Sequence, residues 1–285
     1  MTTPEIFPAP AKLNLSLLVT GRRADGYHLL QTVFRFIDFG DTLRIAVRND
    51  GRIARGHDLA GVAADDDLTL RAARLLQKAA GTALGADITL DKRLPLGGGL
   101  GGGSSDAATV LIVLNRLWQL DWPRARLQKL ALELGADVPV FVFGESALAA
   151  GIGEQLSALP LPPAWYVVLV PPVAVVTARV FQDPDLIRNS IPLTIPPFSF
   201  SAGRNDLETV VCRHYPDVAR HLAWLRQFGA ARMSGSGACV FAQFGDEAAA
   251  REVLDKLPPT MRGVVARGLD RHPLWSMGAI GFEQD

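Results

Sequence analysis

From residue 11 to residue 17 polar and apolar side chains alternate strictly, with Leu13, Leu15 and Leu17 on one side and Lys12, Asn14 and Ser16 on the other. A period of two predicts a half-buried strand with one apolar and one polar face. Residues 33–37 and 43–47 predict two more strands, joined around Phe39-Gly40-Asp41. The period then changes. Residues 67–80 read as a helix capped by Asp67 and ended by Gly81, and residues 88–90 as a strand. A glycine run from Pro95 to Ala107 leads into an apolar helix that starts at about Ser105 and ends at Leu117. A further helix is expected over 123–134, with Pro123 in its first turn and Gly135 past its end, followed by an apolar segment at 138–143.

The stretch Ser157-Ala-Leu-Pro-Leu-Pro-Pro-Ala164 interrupts these patterns and sets an expected division near residue 155, giving domains over 1–155 and 156–285. Beyond it the order is strand 166–170, short helix 177–181, long helix 206–227, a strand pair around Gly235-Ser236-Gly237, helix 247–257 and strand 263–267. That order predicts an antiparallel sheet carrying helices, so the whole chain reads as α+β.

The glycine run holds six glycines in the seven positions 97–103, which removes the Cβ atoms that keep an anion away from backbone. Ser104 and Ser105 follow where the helix begins, each open to a role as helix cap, as ligand, or as both. Successive N–H groups and a helix N-terminus make a phosphate site, most simply for a nucleotide's polyphosphate. A flexible linker does not fit, because the run joins a strand to an apolar helix. Residues 97–102 satisfy the dinucleotide spacing, but Asp121, where a ribose-binding acid belongs, opens a helix instead of ending a strand. A Walker loop is excluded because the chain has no Gly-Lys dipeptide.

Charge narrows the partners. Lys plus Arg and Asp plus Glu are both 29, without long blocks of either sign, which gives no electrostatic case for nucleic acid or a membrane surface. Cys212 and Cys239 form no C-x-x-C, and His57, His214, His221 and His272 lack metal-ligand spacing, so reduced thiols, structural histidines and no metal centre are expected. Residues 165–176 are too short for a span and are broken by Pro171-Pro172; with no basic and apolar leader at the N-terminus, the expected location is the cytoplasm.

The run from Pro95 to Ala107 resembles the phosphate-binding loop of the GHMP kinases. Pro10-Ala-Lys-Leu-Asn-Leu15 resembles that family's N-terminal motif and Arg232-Met-Ser-Gly-Ser-Gly-Ala-Cys239 its C-terminal glycine motif, in the expected order across nearly the whole chain. The resemblance implies a two-domain fold, ribosomal-S5-like at the N-terminus and ferredoxin-like at the C-terminus, with the active site between them. It also implies ATP as co-substrate, magnesium with it, and a small-molecule alcohol as acceptor.

Gly21-Arg-Arg-Ala-Asp-Gly-Tyr-His28, the paired Gly-Gly-Gly around Leu100, Leu134-Gly-Ala-Asp-Val-Pro-Val-Phe141 and Asn205-Asp-Leu-Glu208 are similar to one branch of the family. That branch phosphorylates a tertiary hydroxyl of a cytidine diphosphate compound of methylerythritol in the non-mevalonate route to isoprenoid precursors. Asp106 departs from the small residue of the broader family loop and suits this branch.

On that resemblance, Pro95, Leu96, Gly97, Gly98, Gly99, Leu100, Gly101, Gly102, Gly103, Ser104 and Ser105 hold the phosphates of ATP. Asp137 is the general base and Lys12 lies beside it, although locally Asp137 reads as a turn residue and Lys12 as a solvated lysine. Tyr27, His28 and Phe181 form the cytidine pocket, the two rings sandwiching the base, with Asn14 and Thr177 near the polar part of the acceptor. Lys92 and Leu68 border adenine. The rivals are another GHMP small-molecule kinase of homoserine or mevalonate type, a non-catalytic metabolite sensor on the same scaffold and, more weakly, an RNA-binding role; Gly26-Tyr27-His28 argues against the first, and the retained Lys12 and Asp137 against the second. A monomer and a homodimer are both compatible with the sequence.

Overall fold

Two long strands carry the architecture of the computed structural model, which describes residues 2–59 and 61–278. Strand β1 (Glu5–Arg22) and strand β2 (His28–Arg48) run antiparallel from the pair Glu5 and Ile45 to the pair Arg22 and His28. The two strands expected around Gly40 are therefore one. Gly40 does not break the strand; it lies opposite Pro10, and a Cβ there would run into the Ala9 and Pro10 backbone, so glycine permits a close crossing at a register shift.

Strand β3 (Ile53–Arg55) is followed by helix α1 (Leu68–Ala80), whose expected ends hold: the Asp67 side chain accepts from Thr69 N–H and Gly81 closes the helix in the left-handed region. Strand β4 (Gly85–Asp91) lines the other side of β2 over Thr42–Arg48 and pairs in parallel with β3. Helix α2 (Gly102–Leu117) begins three residues before Ser105. Its cap is Gly101, left-handed and without a side-chain bond, so the serines sit inside the first turn and the capping role expected of them is not used. Helices α3 (Arg124–Leu132) and α4 (Val138–Phe143) follow. Leu76, Leu111 and Phe141 from the helices pack on Phe36, Leu43 and Ile88 from the sheet.

Strand β5 (Ala147–Ala150) pairs with β2 at Thr32–Phe34 and with strand β6 (Gln155–Ala158), which begins where the domain division was expected. After strand β7 (Trp165–Leu169) and helix α5 (Thr177–Gln182), the expected long helix is two, α6 (Glu208–His214) and α7 (Pro216–Leu225). Pro216 lacks the N–H a continuous helix needs and opens the second helix, where that donor would be free anyway. Strands β8 (Ala231–Met233) and β9 (Val240–Phe244), helix α8 (Glu247–Asp255) and strand β10 (Gly263–Leu269) complete an antiparallel sheet in the order β10, β7, β9, β8. Its core joins Val167, Leu169 and Val240 to Val211, Leu222 and Val253. The end of β10 pairs Gly268 and Leu269 with Ile37 and Phe36 of β2, which joins the two sheets. Among the described residues no helix is long and apolar enough to cross a membrane.

Candidate active site

The polar face of β1 is not solvated. Lys12, Asn14 and Ser16 are each 2 % exposed, because the segment around Ser234 and the glycine loop cover the side of the strand that its alternation left polar. Lys12 Nζ donates to Asn14 Oδ1 at 2.6 Å and to Gly99 O at 3.2 Å, and lies 3.1 Å from Asp137 Oδ2. Asn14 is held by its amide, which donates to Thr32 Oγ1 at 2.8 Å, while Thr32 donates to Ser16 O at 2.6 Å. The Phe34 ring centroid is 5.4 Å from the ammonium. Asp137 stands just before α4 but makes no capping bond. It does occupy a turn, closed by Val138 N–H to Gly135 O at 3.1 Å, but its carboxylate faces Lys12 and stays 41 % exposed.

The glycine loop is fastened by its carbonyls. Gly97 O accepts from Ala238 N–H at 3.2 Å and Gly98 O from Cys239 N–H at 3.0 Å. Gly99 O accepts from Ser234 Oγ at 2.9 Å, and Leu100 O from Lys12 N–H at 2.9 Å. Gly97, Gly99 and Gly101 have φ of +65°, +73° and +72°, the alternation that turns successive N–H groups into an anion nest. Among the described residues no N–H of 97–103 has a partner, so these donors remain for a ligand. A Cβ on Gly101 would meet Phe141 Cζ at 2.8 Å and Lys12 Cε at 3.1 Å, whereas one on Gly103 meets only Leu68 Cδ1 at 3.3 Å. Pro95 has no N–H and packs under Gly98; Leu96 is exposed on a pocket wall.

Two cavities meet at the first turn of α2. A cleft of about 730 Å³ is lined by Lys12, Asn14, Asp137, Tyr27, His28, Thr177 and Phe181, which brings every residue expected on the acceptor side together. A second pocket of about 260 Å³ has walls from Leu59, Val62, Leu68, Leu90 and Leu96, and Lys92 and Asp106 line it as well. Ser104 faces the first and Gly103 the second. Lys92 Nζ donates to Asp41 Oδ2 at 2.5 Å and to Asp106 Oδ2 at 2.7 Å. Burial pushes the Asp106 carboxyl up to about 7 against the opposing pull of Lys92. Ser105 Oγ and Asp106 Oδ1 are buried without a partner in the protein.

At the far end of the cleft Phe181 lies against His28, with ring centroids 4.9 Å apart and planes at 32°. Tyr27 is 61 % exposed at the rim, and no ring contact joins it to Phe181 among the described residues. Burial, then the charges of Arg188 and Arg22, hold the His28 imidazolium below its ordinary range. Thr177 Oγ1 and Ser236 Oγ share a hydrogen bond of 2.7 Å. Thr32 and Arg188 were not found from sequence, since neither stands in a motif; Ser234 and Ser236 stood in the glycine motif at 232–239 without a role of their own. No group of three His, Cys, Asp or Glu that would hold a metal occurs among the described residues. His214 bonds Asp183, His272 is buried and pushed down to about 3, and both cysteines are free.

The chain matches two family descriptions, GHMP kinases N terminal domain over residues 67–145 and GHMP kinases C terminal over residues 194–262. It is 65% identical over 271 residues to a 4-diphosphocytidyl-2-C-methyl-D-erythritol kinase from Thiobacillus denitrificans, covering 95% of this chain and 98% of that one. It is 63% identical to the kinase of the same name from Nitrosospira multiformis, over 94% and 92% of the two chains. A crystal structure of 4-(cytidine 5'-diphospho)-2C-methyl-D-erythritol kinase superposes with a TM-score of 0.81 at 34% identity, over 93% of this chain and 99% of that one. A mevalonate kinase from Methanococcus jannaschii, at 15% identity and a TM-score of 0.66, shares the fold over 93% of this chain and 98% of its own. The nest of N–H donors, the lysine and carboxylate beside it and these matches agree: the chain belongs to the GHMP kinase family and, within it, to the 4-diphosphocytidyl-2-C-methyl-D-erythritol kinases.

Proposed function

We propose that this protein transfers the γ-phosphoryl group of ATP to the 2-hydroxyl of 4-diphosphocytidyl-2-C-methyl-D-erythritol, a step of the non-mevalonate route to isoprenoid precursors. The observation that carries the reading is the position of the Lys12 and Asp137 pair, at the junction of the glycine loop and the large cleft. The smaller pocket takes adenine against Leu68, with Lys92 at its border, and the free N–H groups of 97–103 take the phosphates. The acceptor fills the larger cleft, its cytosine at Tyr27, His28 and Phe181, its polar part near Asn14 and Thr177, and its hydroxyl at Asp137.

The acceptor oxygen attacks the γ-phosphorus, the bond to the β,γ-bridging oxygen breaks, ADP leaves, and the hydroxyl proton passes to Asp137. Lys12, oriented by Asn14 and Gly99, steadies the charge on the transferring group. Magnesium would enter with ATP and offset the charge of its phosphates; the Ser104 hydroxyl, which lines the cleft, would be the loop's group to hold it or its water, whereas the Ser105 hydroxyl expected beside it is buried and lines neither cavity. The reaction belongs to the cytoplasm, where free cysteines stay reduced, and the chain divides near residue 155 into a nucleotide-binding domain and a C-terminal domain that contributes Thr177 and Phe181 to the acceptor pocket. The test is turnover by purified protein of the cytidine diphosphate acceptor against homoserine and mevalonate. Preference for the first is expected, and a preference for either of the others sinks the reading.

A further inference from the structure

The guanidinium of Arg188 joins the two halves of the aromatic end of the cleft. Its Nε donates to His28 Nε2 at 3.1 Å, from the start of β2. Its other nitrogens donate to Phe181 O at 2.9 Å and Asp183 O at 2.8 Å, at the end of α5, and to Leu186 O at 3.0 Å. One planar fork thus holds both the imidazole and the backbone under the ring 4.9 Å from it. Arginine has no lone pair to offer, so His28 Nε2 must be the acceptor, and a neutral imidazole then carries its proton on Nδ1. That nitrogen has no partner among the described residues and is not enclosed, while the His28 side chain lines the cleft.

We infer that Arg188 is a positioning residue for acceptor recognition, fixing His28 as the Nδ1–H tautomer so that the cleft presents a hydrogen-bond donor, beside Phe181, to the acceptor oxygens or ring nitrogen of a pyrimidine base. The inference rests on the proposed function and names a determinant of its acceptor specificity. Without the fork the imidazole is free to place its proton on Nε2, and the cleft then meets the base with a lone pair where an acceptor atom requires a donor. Lysine can still donate to Nε2 but cannot also hold Phe181 O and Asp183 O, so it restores the arrangement only in part.

Two measurements test this. In the wild-type protein at about pH 8, where a free imidazole is neutral, the ¹⁵N shifts of the His28 ring report the tautomer directly. The expected state is a protonated Nδ1; a protonated Nε2 overturns the inference whatever the variants do. In steady-state kinetics, Arg188→Met should raise the acceptor KM by roughly tenfold and Arg188→Lys by less, with kcat and the KM for ATP nearly unchanged, as for one misdirected hydrogen bond. Unchanged acceptor KM in both folded variants also overturns it. A wild-type protein that ignores the cytidine diphosphate acceptor defeats the proposed function instead, so the two failures are distinct.

Discussion

Two lysines, Lys12 buried and Lys92 partly buried, flank the first turn of α2 and are partnered in opposite ways. Lys12 faces one carboxylate, Asp137, which is 41 % exposed, and two neutral oxygens, those of Asn14 and Gly99. Lys92 faces two carboxylates, Asp41 and Asp106, which are 0 % and 2 % exposed. Asp41 is further consumed by the N–H groups of Arg93 at 2.6 Å and Leu94 at 2.7 Å. A pair whose carboxylate is open could exchange a proton with a bound hydroxyl, while two enclosed carboxylates sharing one lysine chiefly hold their surroundings in place. On the proposed function, exposure of the carboxylate, more than the presence of a pair, separates chemistry from support.

The strongest way to break that comparison is Asp137→Asn. It should lower kcat by roughly 10²–10⁴-fold with the KM for ATP little changed, and combination with Lys12→Ala should be non-additive. Near-normal turnover would make this pair structural as well. Lys92→Met should instead act on stability: it leaves two carboxylates buried side by side, costing about 3–5 kcal/mol in urea denaturation, with a smaller loss of kcat in the folded protein. The reverse ranking of these two variants would exchange the roles of the lysines.

Between the two lysines lies the glycine loop, and a substitution there sharpens the contrast. Gly101→Val forces a branched side chain onto a φ of +72° and against Phe141, so ATP affinity should fall by about tenfold or more in direct titration. Gly103→Val, in open backbone geometry, should weaken binding much less.

The smallest effect concerns pH. Because burial lifts Asp106 from 3.8 to about 7, the folded chain keeps a proton that the unfolded chain has already released between those values. Stability contributed by this group therefore falls as pH rises through that window, by about 1 kcal/mol between roughly pH 6 and pH 7. Asp106→Asn should flatten this slope in denaturation series at several pH values; an unchanged slope assigns it to another group.

Much of this was legible in local pattern. The ends of α1 followed from Asp67 and Gly81, which make their contacts within a few residues of each other. The nest of N–H groups in the glycine loop was legible because it is made by backbone, which the run of glycines already implies. What local pattern misjudged was set by distant chain. Lys12, Asn14 and Ser16 looked like a solvated face, and only the Ser234 segment shows why it is buried. Gly40 looked like a strand break because the approach of β1 is invisible along the sequence. Ser104 and Ser105 were open to a capping role beside that of ligands because Ser is a good cap, yet Gly101 already stands at the cap position. Arg188 had no signal at all, since its partner His28 is 160 residues away.

The bond from Asn14 N–H to Ser234 Oγ also spans 220 residues, and Ser234 in turn holds the Gly99 carbonyl that receives Lys12. During synthesis, Lys12, Gly99 and Asp137 all leave the ribosome well before Ser234 does. A nascent chain that has paired β1 with β2 still lacks the segment that fastens the carbonyls of its glycine loop. Order of translation thus acts as a safety catch: the glycine loop gains its bonds from Ser234, Ala238 and Cys239 only after the carboxy-terminal half has been made.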